Sequence, residues 1–329
     1  MSCGSLLLEH VTQSSKLLAS QNICIGLSGG IDSIVLLHIL KHITPQINLS
    51  AVHINHNISA NAKMWSKFCQ EFCYSLNIPL HVENVNFNRH GGESLENLAR
   101  IARYKVLLQA PADIIALAHH QDDQVETTLS QLLRGSDLHN IAGMHMVSNK
   151  QDKILWRPLL DISKAQIEEY AVLFGLKYIN DESNLDTRFL RNFIRHDVLP
   201  LLTSWDKHVA TKILNFNLRL QRILSLTDEI AKQDLVFCCT GEQNINLEVF
   251  KSLSNNRQIN LLGYYIKIND LPLPSNKQLT EFNKQAITSN WDRKPQLKLN
   301  NAALLIRYKR YIFIENKHTL PKNSLHSSN

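Results

Sequence analysis

Over the first 200 residues, short apolar runs alternate with longer stretches whose apolar positions recur every three or four residues. Runs over 22–27, 49–54, 80–85, 113–118 and 154–159 predict five buried strands. Between them, 33–43, 60–76, 94–110 and 122–134 carry helical spacing. Asn77 and Pro79 stop the second of these helices, and Gly135 stops the fourth. Ser163 is placed to cap a further helix over 163–174, with Gly175 as its stop. This alternation predicts an α/β fold, a doubly wound parallel sheet with helices on both faces. In such sheets ligands bind beyond the carboxyl ends of the strands.

The rhythm changes after the polar segment 180–186. Helices are predicted over 189–199 and, after Pro200, over 204–234. Shorter elements follow, with helices over 259–266 and 278–286 and strands over 297–299, 303–307 and 311–314. They predict a second, smaller α+β domain. The expected organisation is a catalytic domain over 1–203, a linking helix over 204–234, a small domain over 235–316 and an unstructured tail over 317–329.

At 329 residues, 44% hydrophobic and 19% charged, the chain can bury a core without disulfide or metal staples. Its longest apolar stretches, such as 34–40, fall far short of the roughly 20 residues that cross a bilayer, so no membrane partner is expected. Residues 1–10 lack a basic region followed by an apolar core, so no secretory signal is expected. Six cysteines without a repeated CxxC suggest reduced thiols and a cytoplasmic protein. Charge is uneven. Residues 1–200 carry 17 basic and 19 acidic side chains, whereas residues 201–329 carry 18 and 10. The second part is therefore a candidate for a polyanionic partner.

Between the first strand and first helix stands Ser28-Gly29-Gly30-Ile31-Asp32-Ser33. Glycines let the backbone approach a ligand closely, and the amides that follow open a helix, which favours anions. Asp32 is out of place beside phosphate unless a cation such as Mg²⁺ lies between them. The string is neither a GxxxxGK[ST] loop nor a GxGxxG loop. It resembles the pyrophosphate loop of the N-type ATP pyrophosphatases, which cleave ATP between the α and β phosphates and adenylate a carbonyl-type oxygen.

Further segments narrow the resemblance. His53-Ile-Asn-His56, Ala99-Arg100 with Arg103-Tyr104, and Ala118-His119-His120-Gln-Asp122-Asp123-Gln-Val-Glu126-Thr127 with Arg134-Gly135 all occur. So do Arg157-Pro-Leu-Leu160, Asp181-Glu-Ser-Asn184 and Arg191-Asn-Phe-Ile-Arg195 with Pro200. In type and order they are similar to the motifs of the tRNA-isoleucine lysidine synthetases, over roughly residues 20–202. Beyond Ser204 the likeness weakens, and the chain looks like the short, two-domain form of that family. The resemblance implies a ligase that uses ATP and Mg²⁺ to join free L-lysine to the wobble cytidine of an isoleucine tRNA with a CAU anticodon. A homodimer is compatible with the sequence.

The resemblance assigns ATP to Ser28 through Ser33, and catalysis to Asp32, Arg103, His119, His120 and Asp123. Asp32 and Asp123 are candidates to bind Mg²⁺ or the lysine ammonium. Asp122, Glu126 and Arg100 are candidates for lysine or the base. Asp122 and Glu126 are four apart with Asp123 beside them, so not all three share one helix face. The same acids would equally serve as first-turn partners of a helix dipole. Arg191 and Arg195, four apart, are candidates to meet the tRNA backbone or the ATP phosphates, and Arg307, Lys309 and Arg310 in the run Arg307-Tyr-Lys-Arg-Tyr311 are candidate tRNA contacts. A guarded edge strand would show the same run. His53 and His56 with Cys69 and Cys73 raise zinc, but a strand end and the next helix offer no obvious closed tetrahedral site, and core thiols are expected. Cys238 and Cys239 lie far along the chain from the loop, which speaks against a related tRNA thiolase. A tRNA-binding protein without catalysis would have no use for the intact loop and acid cluster.

Overall fold

A computed structural model describes the chain except residues 1–2, 17, 19–21, 44–47, 56–60, 86–94, 183–186, 241–243, 301–302 and 317–329. His56, Ser183, Asn184 and the tail lie outside the described residues. The chain forms two compact units, Met1–Ser136 with Asn140–Asn217, and Asp137–His139 with Leu218–Asn329.

The first unit holds a six-stranded sheet of β1 (Asn22–Gly26), β2 (Asn48–Asn55), β3 (Leu80–Asn84), β4 (Ile114–Ala116), β5 (Val147–Lys150) and β6 (Lys153–Trp156). Their spatial order is β3-β2-β1-β4-β6-β5. All neighbours run parallel except the β5–β6 hairpin. Alternation along β1 sends Ile23 and Ile25 into one buried cluster and Cys24 into another, so both faces are covered. On the first face lie α1 (Cys3–Ser15), α2 (Ile31–Ile43), α3 (Ala62–Ser75) and α7 (Lys164–Leu173), contributing Leu7, Leu36, Cys69 and Ile167. The opposite face is covered by α4 (Leu95–Leu108) through Tyr104 and Leu107. Each such aliphatic residue, fully buried, contributes roughly 1.5–3 kcal/mol. α5 (Gln121–Leu133), α6 (Leu138–Ile141), α8 (Leu190–Phe193), a π-helical turn (Ile194–Val198) and α9 (Leu199–Trp205) complete the helices before residue 209.

The parallel strands and their helices match the sequence expectation. The predicted helix over 204–234 divides instead into α9 and α10 (Val209–Cys238). Asp206 makes the break, its Oδ1 accepting from the His208 amide at 2.8 Å, which favours a cap over a continuous helix. Nor is α10 a free link. Asn217 Nδ2 donates to Thr128 Oγ1 at 2.6 Å within the first unit, whereas Cys238 joins the core of the second.

That second unit has an antiparallel sheet, with β7 (Cys239–Thr240), β8 (Asn244–Asn246), β9 (Gln296–Lys298), β10 (Ala303–Tyr308) and β11 (Tyr311–Asn316) in the order β7-β8-β11-β10-β9. Helices α11 (Leu247–Lys251), α12 (Asn255–Ile268) and α13 (Asn276–Thr288) bury Phe250, Leu261 and Phe282 against Leu305 and Ile312. Among the described residues, no helix is long and apolar enough to cross a membrane.

Candidate active site

β1 pairs with β2 on one side and β4 on the other, so the strand order reverses there. Connections leaving β1 and β4 diverge, and a crevice opens beyond their carboxyl ends. The segment 27–33 after β1 and the segment 117–123 after β4 meet at this edge.

The first segment is folded on its own hydroxyls. Ser33 Oγ accepts from the amides of Ser28 and Gly29, each at 3.2 Å, and donates to the Gly30 carbonyl at 2.9 Å. Ser28 Oγ accepts from the Gly30 amide at 3.2 Å. The Ile34 amide reaches the Gly30 carbonyl at 3.1 Å and starts the helical ladder. Helix geometry then leaves the amides of Ile31, Asp32 and Ser33 without intrahelical acceptors, a ready anion site. Gly29 has φ of 89°, and a Cβ there would sit 2.5 Å from Ile179 Cδ1 and 3.1 Å from Cys69 Sγ. Only glycine meets both demands.

His53 lies beneath this loop and hydrogen-bonds the Leu27 carbonyl through Nδ1 at 2.9 Å. Burial lowers its pKa, so it is a neutral brace. Burial also pushes the Cys69 thiol up to about 12 and that of Cys73 up to about 11. Both side chains are packed in the hydrophobic core of the first unit. Among the described residues, no group of three or more His, Cys, Asp or Glu side chains is arranged to hold a metal.

The second segment begins with His120 as N-cap of α5. Its Nδ1 accepts from the Asp122 amide at 3.3 Å, and the His120 amide donates to Asp123 Oδ2 at 3.0 Å. Nδ1 is thus an acceptor, and Nε2 lies 3.5 Å from Asp123 Oδ2 and 3.8 Å from Asp32 Oδ1. His120 therefore joins the two segments. Beside it, burial lowers the His119 pKa to about 3, and its buried Nδ1 has no hydrogen-bond partner among the described residues. Burial raises the Asp122 carboxyl, Glu126 and Asp123 adding to the rise and His120 opposing it.

Asp123 behaves in the opposite way. Burial would raise its pKa, but the Arg191 charge, both histidines and the His120 amide hold it well below the usual carboxylate range. Arg191 donates to Asp123 Oδ1 at 2.6 Å and to Glu126 Oε2 at 2.8 Å. Arg195 forks onto Glu126 at 2.6 and 3.0 Å. Arg191 and Arg195, expected to meet tRNA, are therefore engaged with carboxylates of α5. Their shared helix face is real, but it turns inward because α8 and the π-helical turn pack on α5. Glu126, only 1% exposed and accepting three guanidinium bonds, is a positioning residue and not a free lysine ligand. Both Asp123 oxygens accept hydrogen bonds, Oδ2 from the His120 amide and Oδ1 from Arg191.

The remaining expected residues separate. Arg103 stands electrostatically beside Arg191 and Asp123, and burial lowers its pKa. Arg100 lines a different cavity around Tyr104. Arg307 is buried, and its Nη1 donates to the carbonyls of Asn290 and Arg293 at 2.8 and 2.9 Å, which closes it to a phosphate. Lys309 and Arg310 form the two-residue turn between β10 and β11.

Lys164 was not anticipated. Its Nζ donates to Asp32 Oδ1 at 2.7 Å, and its backbone amide hydrogen-bonds the Asp122 carboxylate. Its one signal in the sequence is its place directly after the N-cap Ser163. With His120, Asp122, Arg195, Pro200 and Thr203, Asp32 and Lys164 line a cavity of about 460 Å³.

Residues 7–202 match the PP-loop domain family, and residues 245–313 match the TilS substrate binding domain. The tRNA(Ile)-lysidine synthase of Actinobacillus pleuropneumoniae is 37% identical over 297 residues, covering 89% of this chain and 70% of the relative. This chain belongs to the tRNA(Ile)-lysidine synthase family. Another member, from Chromobacterium violaceum, is 40% identical over 285 residues, which is 85% of this chain and 65% of the relative. The chain thus spans about two thirds of the length of such relatives. Among solved structures, the U34-tRNA thiolase NcsA from Methanococcus maripaludis superposes with a TM-score of 0.54 over 66% of this chain and 79% of its own. At 19% identity that likeness concerns the fold alone.

Proposed function

We propose that the chain joins free L-lysine to C2 of the wobble cytidine in an isoleucine tRNA with a CAU anticodon, using ATP to adenylate the base. The observation that carries this reading is the crevice where the amides of Ile31–Ser33 and Asp32 face His120 and Asp122. Family membership supplies the substrate class.

In the first step the cytidine O2 attacks the α-phosphorus and pyrophosphate leaves. Charge grows on phosphate oxygens, and the amides opening α2 with the ammonium of Lys164 face that charge. Asp32, a carboxylate in the first turn of α2 that lines the crevice, would hold Mg²⁺, which asks for one or two carboxylates plus phosphate oxygens. When bound, Mg²⁺ would supply charge neutralisation there. In the second step the lysine amine attacks C2 and AMP departs. Free lysine, with a side-chain pKa near about 10.4, arrives protonated. Asp122 lines the cavity with a raised pKa, so it orients the ammonium and accepts its proton. His119, uncharged, can contact base or nucleotide without adding positive charge. Arg191, Arg195, Asp123 and Glu126 hold this edge of α5 in place.

In the second unit, exposed rings and cations suit an unpaired stretch of RNA. Arg310 lies 5.7 Å from the Trp291 ring, and Lys294 and Lys309 lie 5.8 and 5.4 Å from that of Tyr308. A thiolase would use reactive sulfur, but burial raises the pKa of each free cysteine described.

The test is incorporation of radiolabelled lysine into a CAU isoleucine transcript with ATP and Mg²⁺, against a methionine transcript with the same anticodon. Label on the isoleucine transcript alone is expected. AMP and pyrophosphate without label would assign another nucleophile, and no ATP cleavage would overturn the catalytic reading.

A further inference from the structure

A second cavity, of about 500 Å³, opens between α4 and the turn joining β5 to β6. Its lining includes Arg100, Lys105 and Lys150, with Tyr104 between them, and contains no carboxylate. Residues 100, 101, 104, 105 and 108 share this side of α4 by helical spacing. Arg103 instead lies within the electrostatic reach of Asp123 and Arg191, so one helix presents cations to two separate places.

Tyr104 organises the cluster. Arg100 Cζ lies 5.3 Å and Lys150 Nζ 4.4 Å from its ring centroid. Its hydroxyl is hydrogen-bonded to Arg157, which is buried and anchored on the His145 carbonyl at 2.9 Å and Ser148 Oγ at 3.1 Å. The ring is thus fixed, and its face attracts both cations. None of Arg100, Lys105 and Lys150 has a carboxylate partner among the described residues. Three like charges on one concave surface repel one another and together attract an anion. A guanidinium fork with two mobile ammonium groups matches phosphate oxygens.

We propose that this cavity binds a backbone phosphate of the tRNA, as a positioning contact separate from the catalytic crevice. The proposal rests on tRNA being the substrate. Phosphate is the ligand chemistry, and tRNA is its source because an open cavity lined by three cations and no carboxylate admits a phosphate within a continuous polyanion.

The experiment compares the full chain with Lys105→Gln/Lys150→Gln and Lys105→Glu/Lys150→Glu. Dissociation constants for fluorescent CAU isoleucine tRNA are measured from 50 to 200 mM KCl, with binding of a fluorescent ATP analogue and circular dichroism as controls. Each phosphate contact contributes about 0.7–0.9 to the slope of log K against log salt. The glutamine pair is expected to weaken tRNA binding about tenfold at low salt and flatten the slope by about 1. The glutamate pair goes further, and ATP-analogue binding stays unchanged. An unchanged slope in both variants overturns the proposal. Failure of the parent chain to bind tRNA overturns the lysidine reading itself, which separates the two. Acylation of Lys105 and Lys150, read by mass spectrometry, distinguishes the sources. Protection by tRNA supports the proposal. Protection by inorganic phosphate with no change in tRNA slope assigns the cavity to a free anion and refutes it.

Discussion

Glu126→Gln tests the ion network most directly, because it keeps the side-chain shape and removes one charge. In the native protein Glu126 is 1% exposed and accepts three bonds, from Arg191 Nε and from Arg195 Nε and Nη2. After substitution that charge is gone, and Asp123 remains beside both guanidinium groups. Breaking a buried ion pair from one side costs about 3–5 kcal/mol. Here the arginine side chains are 29% and 35% exposed, so water compensates in part. About 2 kcal/mol of lost stability is the reasonable figure. For a unit of this size that is about 4–8 °C in the melting temperature. Scanning calorimetry of the full chain reads the shift, provided the transitions of the two units are fitted separately. A double-mutant cycle with Arg195→Gln should return a coupling of about 1–2 kcal/mol, since residues in one network are not additive. A melting shift within 1 °C, or strictly additive single effects, would refute the network as a structural brace.

Three further outcomes follow from the same geometry. Gly29→Ala should weaken folding, because the added methyl meets Ile179 at a positive φ, whereas Gly30→Ala meets only Ser28 Oγ at 3.4 Å and should fold almost normally; equal melting temperatures for the two variants would contradict the loop geometry. Asp32→Asn should abolish pyrophosphate release while leaving tRNA affinity nearly unchanged, and release at the parental rate would remove the proposed cation role. The Asp123 carboxyl, depressed below its unfolded value of about 3.9, stabilises the fold fully above that pH and loses its contribution as pH falls through the lower folded value. The gap in melting temperature between the parent and Asp123→Asn should therefore be widest near neutral pH and narrow below pH 4; a gap independent of pH would rule this linkage out.

The parallel sheet was readable because each central strand is a continuous apolar run, and each helix has its own stop. Helix α1 was not, since a stripe of Leu7 and Val11 is too narrow to stand out before α7 is known to cover it. Strand β5 carries Val147-Ser-Asn-Lys150, mostly exposed, and is held by backbone pairing to β6, which leaves no periodicity to read. The loop and the acid cluster were legible because their residues are contiguous. Which groups pair with them was not. The spacing of Arg191 and Arg195 shows that they share a face, but only the packing of α8 on α5 turns that face toward Glu126. Lys164 reaches Asp32 across 132 positions of sequence, a distance at which no local pattern helps.

Cys69 gives the protein an internal clock. Its sulfur lies directly behind Gly29, fully buried, with a thiol pKa of about 12. A thiol so placed is silent toward alkylating reagents while the floor of the loop is closed, and it reacts only in molecules that open. The labelling rate of Cys69, followed by mass spectrometry under native conditions, therefore reports the free energy of opening the packing between α3 and the loop. Ligands that seat on the loop would slow that rate in proportion to their binding, without any turnover being measured.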